Sequence, residues 1–457
     1  MKEYDFVFVY EVKNRELENI CLIACELERR GYKVGFIGTW DQELQRCFPL
    51  KTKVAIAFAL YSDSQLNFID YHVSDCDKYL NMQWEQVFTN LAANQDETSM
   101  ITGKVNFYGV SGNAKKAVHI AWGTNTYNRL IEKYNLNEKN IVITGHVALD
   151  FLNSKLQSYF LSREDLFAKF GIPCKQKVCL FISSFSYVNM PKATMEWLNN
   201  IDNGNDPNVM ATLSIKSQEL ILMWIEKLLI DNKEMIFIYR PHPAENDNPV
   251  LKKMSDRFQN FMVIDEYSIK QWIVVVDKIY TWISTAIAEV YAADKPCGIL
   301  RPVEIPYNYD MEIYNNASYI SDYEVFRDSV DSEMTFPVDK KLMDYYYHID
   351  KDYPAFMKVC DLLEKMYMDD SYYMNCSHGV RTPESISDFN RYMRWKHKLI
   401  KSNKGRAILN KHYPNRNNDL DKYNYTLTMY RKNHSTQTEI DQIMKKLKEI
   451  IDKEYQK

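Results

Sequence analysis

The chain has 457 residues, 46% hydrophobic and 26% charged, with a formal net charge of −4. That length predicts two domains with appendages, and the composition excludes disorder over most of the chain. The longest clean apolar run, Val54–Leu60, is far short of the roughly 20 residues a membrane span needs. Met1–Tyr10 alternates with charges and shows no secretory pattern.

The predicted elements run in alternation. Tyr4–Tyr10 is a period-2 strand, and Arg15–Arg30 follows with helical spacing at Leu17, Ile20, Cys21, Ile23 and Ala24 until Gly31 stops it. Strands are expected at Lys33–Gly38, Thr52–Leu60, Lys104–Tyr108, Ala117–Ala121 and Asn140–Thr144, with a helix at Thr124–Tyr134. A boundary falls near His146–Ser162. The pattern then restarts: strand Lys177–Ser183, helix Ser217–Ile230, strand Glu234–Tyr239 and short strands Phe261–Ile264 and Lys278–Trp282. Helix Thr285–Ala293 and strand Cys297–Leu300 complete the second half. Such alternation implies right-handed crossovers and a mainly parallel sheet in each half.

The last section differs. Lys340–Tyr367 reads as one Tyr-rich helix, Ser371–Pro383 as a loop, and Glu384–Ile400 and Glu439–Tyr455 as helices. Asn403–His434 is polar and basic and reads as poorly packed. From Arg381 to Lys457 there are 18 Lys or Arg against 9 Asp or Glu, a cationic tail on an acidic body.

Nine cysteines at irregular spacing include no Cys-x-x-Cys. They read as reduced thiols of a cytoplasmic protein rather than a disulfide or zinc scaffold. With 13 glycines and no Gly-x-Gly-x-x-Gly or Walker loop, a P-loop ATPase and a standard NAD dehydrogenase are disfavoured.

Two segments at strand ends carry chemistry. Tyr239-Arg240-Pro241-His242-Pro243-Ala244-Glu245-Asn246 follows a strand directly, and its two prolines stiffen the loop. Arg240 and His242 suit a phosphate, and Glu245 suits sugar or base hydroxyls. The second, Tyr280-Thr281-Trp282-Ile283-Ser284-Thr285-Ala286-Ile287-Ala288-Glu289, leads into a helix. Ser284 is its expected N-cap, Ser284 and Thr285 a phosphate site, and Glu289 a ribose ligand one turn in. The plainer alternatives are a Pro-stiffened turn and an ordinary capped helix.

Two Rossmann-like halves with an interdomain cleft and a helical C-terminal extension resemble the GT-B glycosyltransferase architecture. The two segments, in this order, resemble the His-Pro and Ser/Thr motifs of GT-B enzymes that build bacterial surface glycans. These include the sialyltransferase, Kdo transferase and CDP-glycerol glycerophosphotransferase families. The chain is more similar still to bacterial surface carbohydrate biosynthesis proteins. That likeness rests on Tyr10-Glu11-Val12-Lys13-Asn14-Arg15-Glu16-Leu17, Asn81-Met82-Gln83-Trp84-Glu85-Gln86, Trp122-Gly123 and Thr144-Gly145-His146-Val147-Ala148-Leu149-Asp150. In the last of these, His146 and Val147 stand where the family has Asn-Pro. Cys376–Pro383 also looks family-like.

The resemblance implies an acceptor-side domain over 1–150, a nucleotide-donor domain over 151–340, helices packing back over 341–400 and a basic helical tail over 401–457. It implies that His242 binds or protonates the donor phosphate, that Arg240, Ser284 and Thr285 support it, and that Glu245 and Glu289 contact the donor. The base that deprotonates the acceptor would come from Glu11, Glu16 or Glu85, with Glu11 preferred, and Arg15 would pair with it or bind the acceptor. A local ion pair is the plain alternative for Glu11, Arg15 and Glu16. Trp122 and Tyr345-Tyr346-Tyr347 are candidates to stack on sugars.

Asp75-Cys76-Asp77 is the one Asp-x-Asp triplet in the first half, and metal-independent, inverting transfer is expected. No cofactor is expected beyond the nucleotide-sugar donor as substrate. The first-choice donor is a CMP-linked nonulosonic or 3-deoxy-ulosonic acid, with CDP-glycerol or a UDP-sugar as alternatives. The expected partner is a glycan or lipid-linked acceptor, with peripheral contact of the basic tail at the inner face of the cell membrane and no nucleic acid. A nucleotide-sugar epimerase and a non-catalytic glycan-assembly subunit remain open.

Overall fold

β1 (Glu3–Tyr10) shows why the first half folds as it does. Residues 6–10 are buried throughout, the signature of a central parallel strand covered on both faces. Phe6, Phe8 and Tyr10 join one apolar cluster while Val7 and Val9 join the other, because strand side chains alternate between faces. The computed structural model describes residues 3–44, 49–86, 89–94, 110–200, 205–374, 383–414 and 419–455. The strand expected at Lys104–Tyr108, and the Cys376–Pro383 motif up to residue 382, lie outside the described residues.

α1 (Lys13–Arg29) follows, then β2 (Val34–Gly38), α2 (Thr39–Leu44), β3 (Leu50–Ala57), α3 (Asp63–Asp70), β4 (Val73–Ser74), β5 (Lys78–Asn81), β6 (Val118–Ala121), α4 (Thr124–Glu132) and β7 (Ile141–Ile143). The strands lie in the order β2-β1-β3-β5-β6-β7, with β4 beside β3, and every pairing is parallel. The chain then crosses to β8 (Val178–Ile182), α5 (Pro207–Asp231), β9 (Ile236–Arg240), β10 (Phe261–Val263), α6 (Ile269–Val275), β11 (Lys278–Thr281), α7 (Ile287–Ala292), β12 (Cys297–Leu300) and β13 (Tyr319–Ile320). This second sheet is also parallel, in the order β10-β9-β8-β11-β12-β13. Counted within its half, that is the doubly wound order 3-2-1-4-5-6, whose ligand crevice lies at the carboxyl ends where the order reverses.

The C-terminal section departs from expectation in two places. The single Tyr-rich helix is two helices, α8 (Lys340–Tyr346) and α9 (Ala355–Met368), broken before Pro354. A proline disfavours helical angles in the residue before it. Asp150 caps α9 from the first half, accepting from the Ala355 and Phe356 N–H groups at 3.0 and 2.7 Å. Past α10 (Pro383–Ile400), the polar stretch is helical, although only Gly405, Leu409 and Asn433 of its two helices are buried. It forms α11 (Asn403–His412) and α12 (Leu420–Asn433), started by the side-chain caps of Ser402 and Asp419.

α13 (Gln437–Glu454) is no loose tail. It buries Ile440, Met444, Leu447, Ile450 and Ile451 in the same cluster as Leu17, Ile20 and Ala24 of α1. At about 1.5–3 kcal/mol for each large apolar side chain buried, that seam binds the end of the chain to its beginning.

Candidate functional site

A cavity of about 980 Å³ opens between the two halves. Its walls come from the segments after β1, β5, β6 and β7 on one side and after β8, β9, β10 and β11 on the other, all carboxyl ends of parallel strands. Of the expected site residues, Arg15, Glu85, Arg240, His242, Ser284, Thr285 and Glu289 line it. Glu11, Glu16 and Glu245 do not.

His242 is held by its own turn. Its Nδ1 accepts the Ala244 N–H at 3.1 Å, so in the neutral ring the proton sits on Nε2. Burial, assisted by the nearby Lys432 charge, lowers its pKa below the ordinary histidine value. The group offered to the cavity is thus a neutral imidazole with one N–H donor.

Glu245, expected on the donor, turns the other way. Its Oε1 accepts from Tyr239 Oη at 2.7 Å and Gln218 Nε2 at 3.0 Å. Its Oε2 accepts from Ser183 Oγ at 2.5 Å and the His242 N–H at 3.1 Å. Burial raises its pKa despite those bonds. The carboxylate braces the His-Pro loop and has no open face for a sugar.

Arg240 lines the cavity but also serves the fold. Its guanidinium donates to the carbonyls of Ile264 at 3.3 Å, Glu266 at 2.6 Å and Tyr267. It fastens the β10–α6 loop, and burial lowers its pKa. Three of its five N–H groups are used on backbone.

The Ser/Thr segment also differs. α7 is capped by Ala286, two residues later than expected. The Ser284 N–H goes to Tyr314 Oη, the Ala286 N–H to Ser284 Oγ, and the Ile287 and Ala288 N–H groups to the carbonyls of Ser284 and Thr285. With these amides used, the hydroxyls of Ser284 and Thr285 are the side-chain donors this turn offers. Glu289, one turn in, is only partly exposed, and burial raises its pKa while Lys270 lowers it.

Lys270 is a cavity-lining side chain that the sequence pattern did not single out. It sits at the start of α6 with 7% of its surface exposed, and it lines the cavity. Its Nζ lies 3.4 Å from Asn19 Oδ1, 3.5 Å from Glu18 Oε2 and 4.2 Å from the centre of the Phe151 ring. A buried ammonium held by a carboxylate, an amide and a ring face is a fixed positive charge between the halves. The available signal was a lysine in the amphipathic stretch Ile269-Lys270-Gln271-Trp272.

On the first half, Glu16 is fully buried beneath Arg15, and burial raises its pKa to about 7. It also accepts the Glu11 N–H at 2.8 Å. Burial raises the Glu11 pKa too, with Arg15 opposing. Arg15 bridges Glu16 to Glu85, and of the three glutamates only Glu85 lines the cavity. The ion-pair alternative therefore describes Arg15 and Glu16, and Glu11, the preferred base, lies off the cavity wall.

His146 repeats the geometry of His242. Its Nδ1 accepts the Ala148 N–H at 3.0 Å, and burial lowers its pKa to about 3. Its ring packs edge-on against Trp122 at 3.8 Å, and Trp122 stacks on Tyr347 at 5.9 Å. Trp122 and Tyr347 line the cavity, whereas Tyr346 is buried on Glu312 and Tyr345 lies off the wall. Gly145 has a φ of +89°, and a Cβ there would lie 2.4 Å from the His348 carbonyl oxygen. At Gly123 a Cβ would lie 2.6 Å from the Tyr346 carbonyl. The two motif glycines thus let residues 345–348 cross directly over the strand ends that carry Trp122 and His146.

Asp75 lies at the other end of the first sheet, 3.7 Å from Lys51 near the start of β3. That is the amino edge, away from the cavity. Among the described residues no group of three or more His, Cys, Asp or Glu gathers to hold a metal ion, and no helix is long and apolar enough to cross a membrane.

No family model and no curated protein matches the chain. Solved structures do. A variant of the wall teichoic acid polymerase TagF aligns over 80% of this chain and 89% of that one, at 12% identity and a TM-score of 0.50. The S. aureus MnaA–UDP co-structure aligns over 80% and 97%, at 13% identity and 0.44. A putative UDP-N-acetylglucosamine 2-epimerase from Listeria monocytogenes aligns over 81% and 98%, at 9% identity and 0.44. Identities this low establish the architecture: two parallel-sheet Rossmann-like domains in the GT-B arrangement.

Proposed function

We propose that the chain transfers a group from a nucleotide-activated donor to a hydroxyl of a surface-glycan or lipid-linked acceptor, across the cavity between its halves. The observation that carries this reading is the convergence at one crevice of the His242 Nε2–H, the Ser284 and Thr285 hydroxyls, the Lys270 ammonium and the Glu289 carboxylate. The first four are donors suited to phosphate oxygens, and the last is an acceptor suited to a ribose diol.

In this reading the donor lies against the second half. His242 Nε2–H and the two hydroxyls bond the phosphate, and Lys270 supplies charge as the nucleotide departs. Their preorganisation in the cleft stabilises that charge as it develops. His242, kept neutral, donates a hydrogen bond rather than a full positive charge. The acceptor enters against the first half, between Trp84, Trp122 and His146. Glu85 replaces Glu11 as the base, since of the three candidates Glu11, Glu16 and Glu85 it is the one on the cavity wall. Metal independence and inversion belong to the same proposal and rest on the resemblance to GT-B enzymes.

The donor nucleotide is open. The first choice of a CMP-linked ulosonic acid draws no support from the fold, and CDP-glycerol and UDP-sugars fit it equally. The decisive experiment follows nucleotide release from CMP-, CDP- and UDP-activated donors, with and without an acceptor fraction from cell-surface glycan. A transferase releases nucleotide only with acceptor. A product formed from a UDP-sugar without acceptor supports the epimerase, and no turnover or binding supports a non-catalytic subunit.

A further inference from the structure

The cationic character of the C-terminal region is not spread along it. Among the described residues from Pro383 to Asn433, eleven Lys or Arg face four Asp or Glu, in a chain that totals 57 against 61. α13, by contrast, carries four Lys against five Asp or Glu and is packed on α1. The positive charge is concentrated on α10, α11 and α12.

α10 contacts both α11 and α12, and α12 rests on α1 and α2. Arg394, Lys398, Lys404, Lys411, Lys422 and Arg431 are exposed, and none makes an ion pair among the described residues. On α10, Arg391, Trp395 and Lys398 share one face by their spacing of four and three. Trp395 is 43% exposed and Tyr413 37%. Both rings adjoin Tyr392, at 5.9 and 6.0 Å, so they form one aromatic patch between α10 and the end of α11. Ile408 is also 48% exposed. At the end of α12, Asn433 Oδ1 accepts the N–H of Lys13, a residue of the cavity wall, at 3.1 Å.

We infer that α10–α12 form a platform that docks the protein on an anionic lipid bilayer. The unpaired Lys and Arg meet headgroup phosphates, and Trp395, Tyr413 and Ile408 seat at the interface, where aromatic side chains with polar edges are favoured. Charge complementarity selects this occupant. A planar anionic surface touches the basic platform alone, whereas a wrapping polyanion would also meet the acidic remainder of the chain. The inference goes beyond the transferase reading and stands without it.

The test is flotation of the full chain with vesicles of phosphatidylcholine alone or with about 30% phosphatidylglycerol, at low and high salt. The protein is expected to float with the anionic vesicles only, and less so at high salt. Lys398→Glu, Lys404→Glu and Lys411→Glu together should weaken partition at least about 100-fold, at about fivefold per basic residue lost near the surface. Trp395→Ser should weaken it with the charge unchanged. Lys233→Glu, Lys252→Glu and Lys253→Glu on the second half change net charge equally and should leave partition as it was. No flotation at low salt overturns the inference, as does equal loss in both triple variants. Tighter binding of a single-stranded oligonucleotide than of the vesicles also overturns it.

Discussion

Glu245 separates a bracing role from a substrate-binding one. Its two oxygens receive four hydrogen bonds, three of them from the side chains of Ser183, Gln218 and Tyr239, all nearly inaccessible. Glu245→Ala takes one acceptor from each of those three buried donors, although Gln218 Nε2 keeps its bond to Tyr239 Oη at 3.1 Å. Each costs about 1–3 kcal/mol, less where a neighbour can substitute. Ser183 Oγ and Tyr239 Oη lie 2.9 Å apart and can serve one another, so the net loss is about 3–5 kcal/mol. For a domain of this size, about 2–4 °C per kcal/mol gives a fall in Tm of roughly 6–20 °C, read by calorimetry without ligand. Glu245→Gln keeps one oxygen and sets an amide against the other donor pair, so it should lose about half as much. A Tm within about 2 °C of the parent, with nucleotide binding lost, would refute the bracing role and return Glu245 to the donor.

Three further outcomes follow from the same geometry. Lys270→Met removes a buried charge from the cavity; losing a hydrogen bond to a charged group, worth about 1.5–3 kcal/mol, should weaken nucleotide binding about 10–150-fold by calorimetric titration. His146 has a folded pKa near 3 against the ordinary 6.5, so its contribution to stability is complete above pH 6.5 and is lost as pH falls from there toward 3. In denaturation curves, His146→Gln should flatten that acid loss, and an unchanged slope would count against it. Asp150→Ala removes the cap that joins α9 to the first half and should cost about 1–2 kcal/mol, seen as a lower Tm with nucleotide affinity retained.

Much of the fold was legible because central parallel strands are continuous apolar runs, and β1, β8 and β9 stand out as such. The polar segment of α11 and α12 was not, because its helices are set by caps and by packing on one side rather than by an apolar stripe. β5 was missed since Lys78-Tyr79-Leu80-Asn81 has polar ends that only tertiary burial explains. At the site, the Pro-stiffened loop and the Ser284–Glu289 segment were visible as residues, and they do line one cavity. The partners of Arg240 and Glu245 were not visible: Ser183 lies 62 residues from Glu245, and the carbonyls that Arg240 grips lie 24–27 residues on. Lys270 escaped because a lone lysine in an amphipathic pattern reads as a solvated position.

The central claim is a nucleotide site built on His242, and calorimetric titration of CMP, CDP, UDP and GDP tests it directly, with His242→Asn alongside. The asparagine oxygen can still cap the Ala244 N–H while the Nε2 donor is gone. One nucleotide should bind the parent, and bind the variant about 10–150-fold more weakly, the value of one hydrogen bond to a charged group, with Tm unchanged. Equal binding to both proteins would place the nucleotide elsewhere and contradict the account.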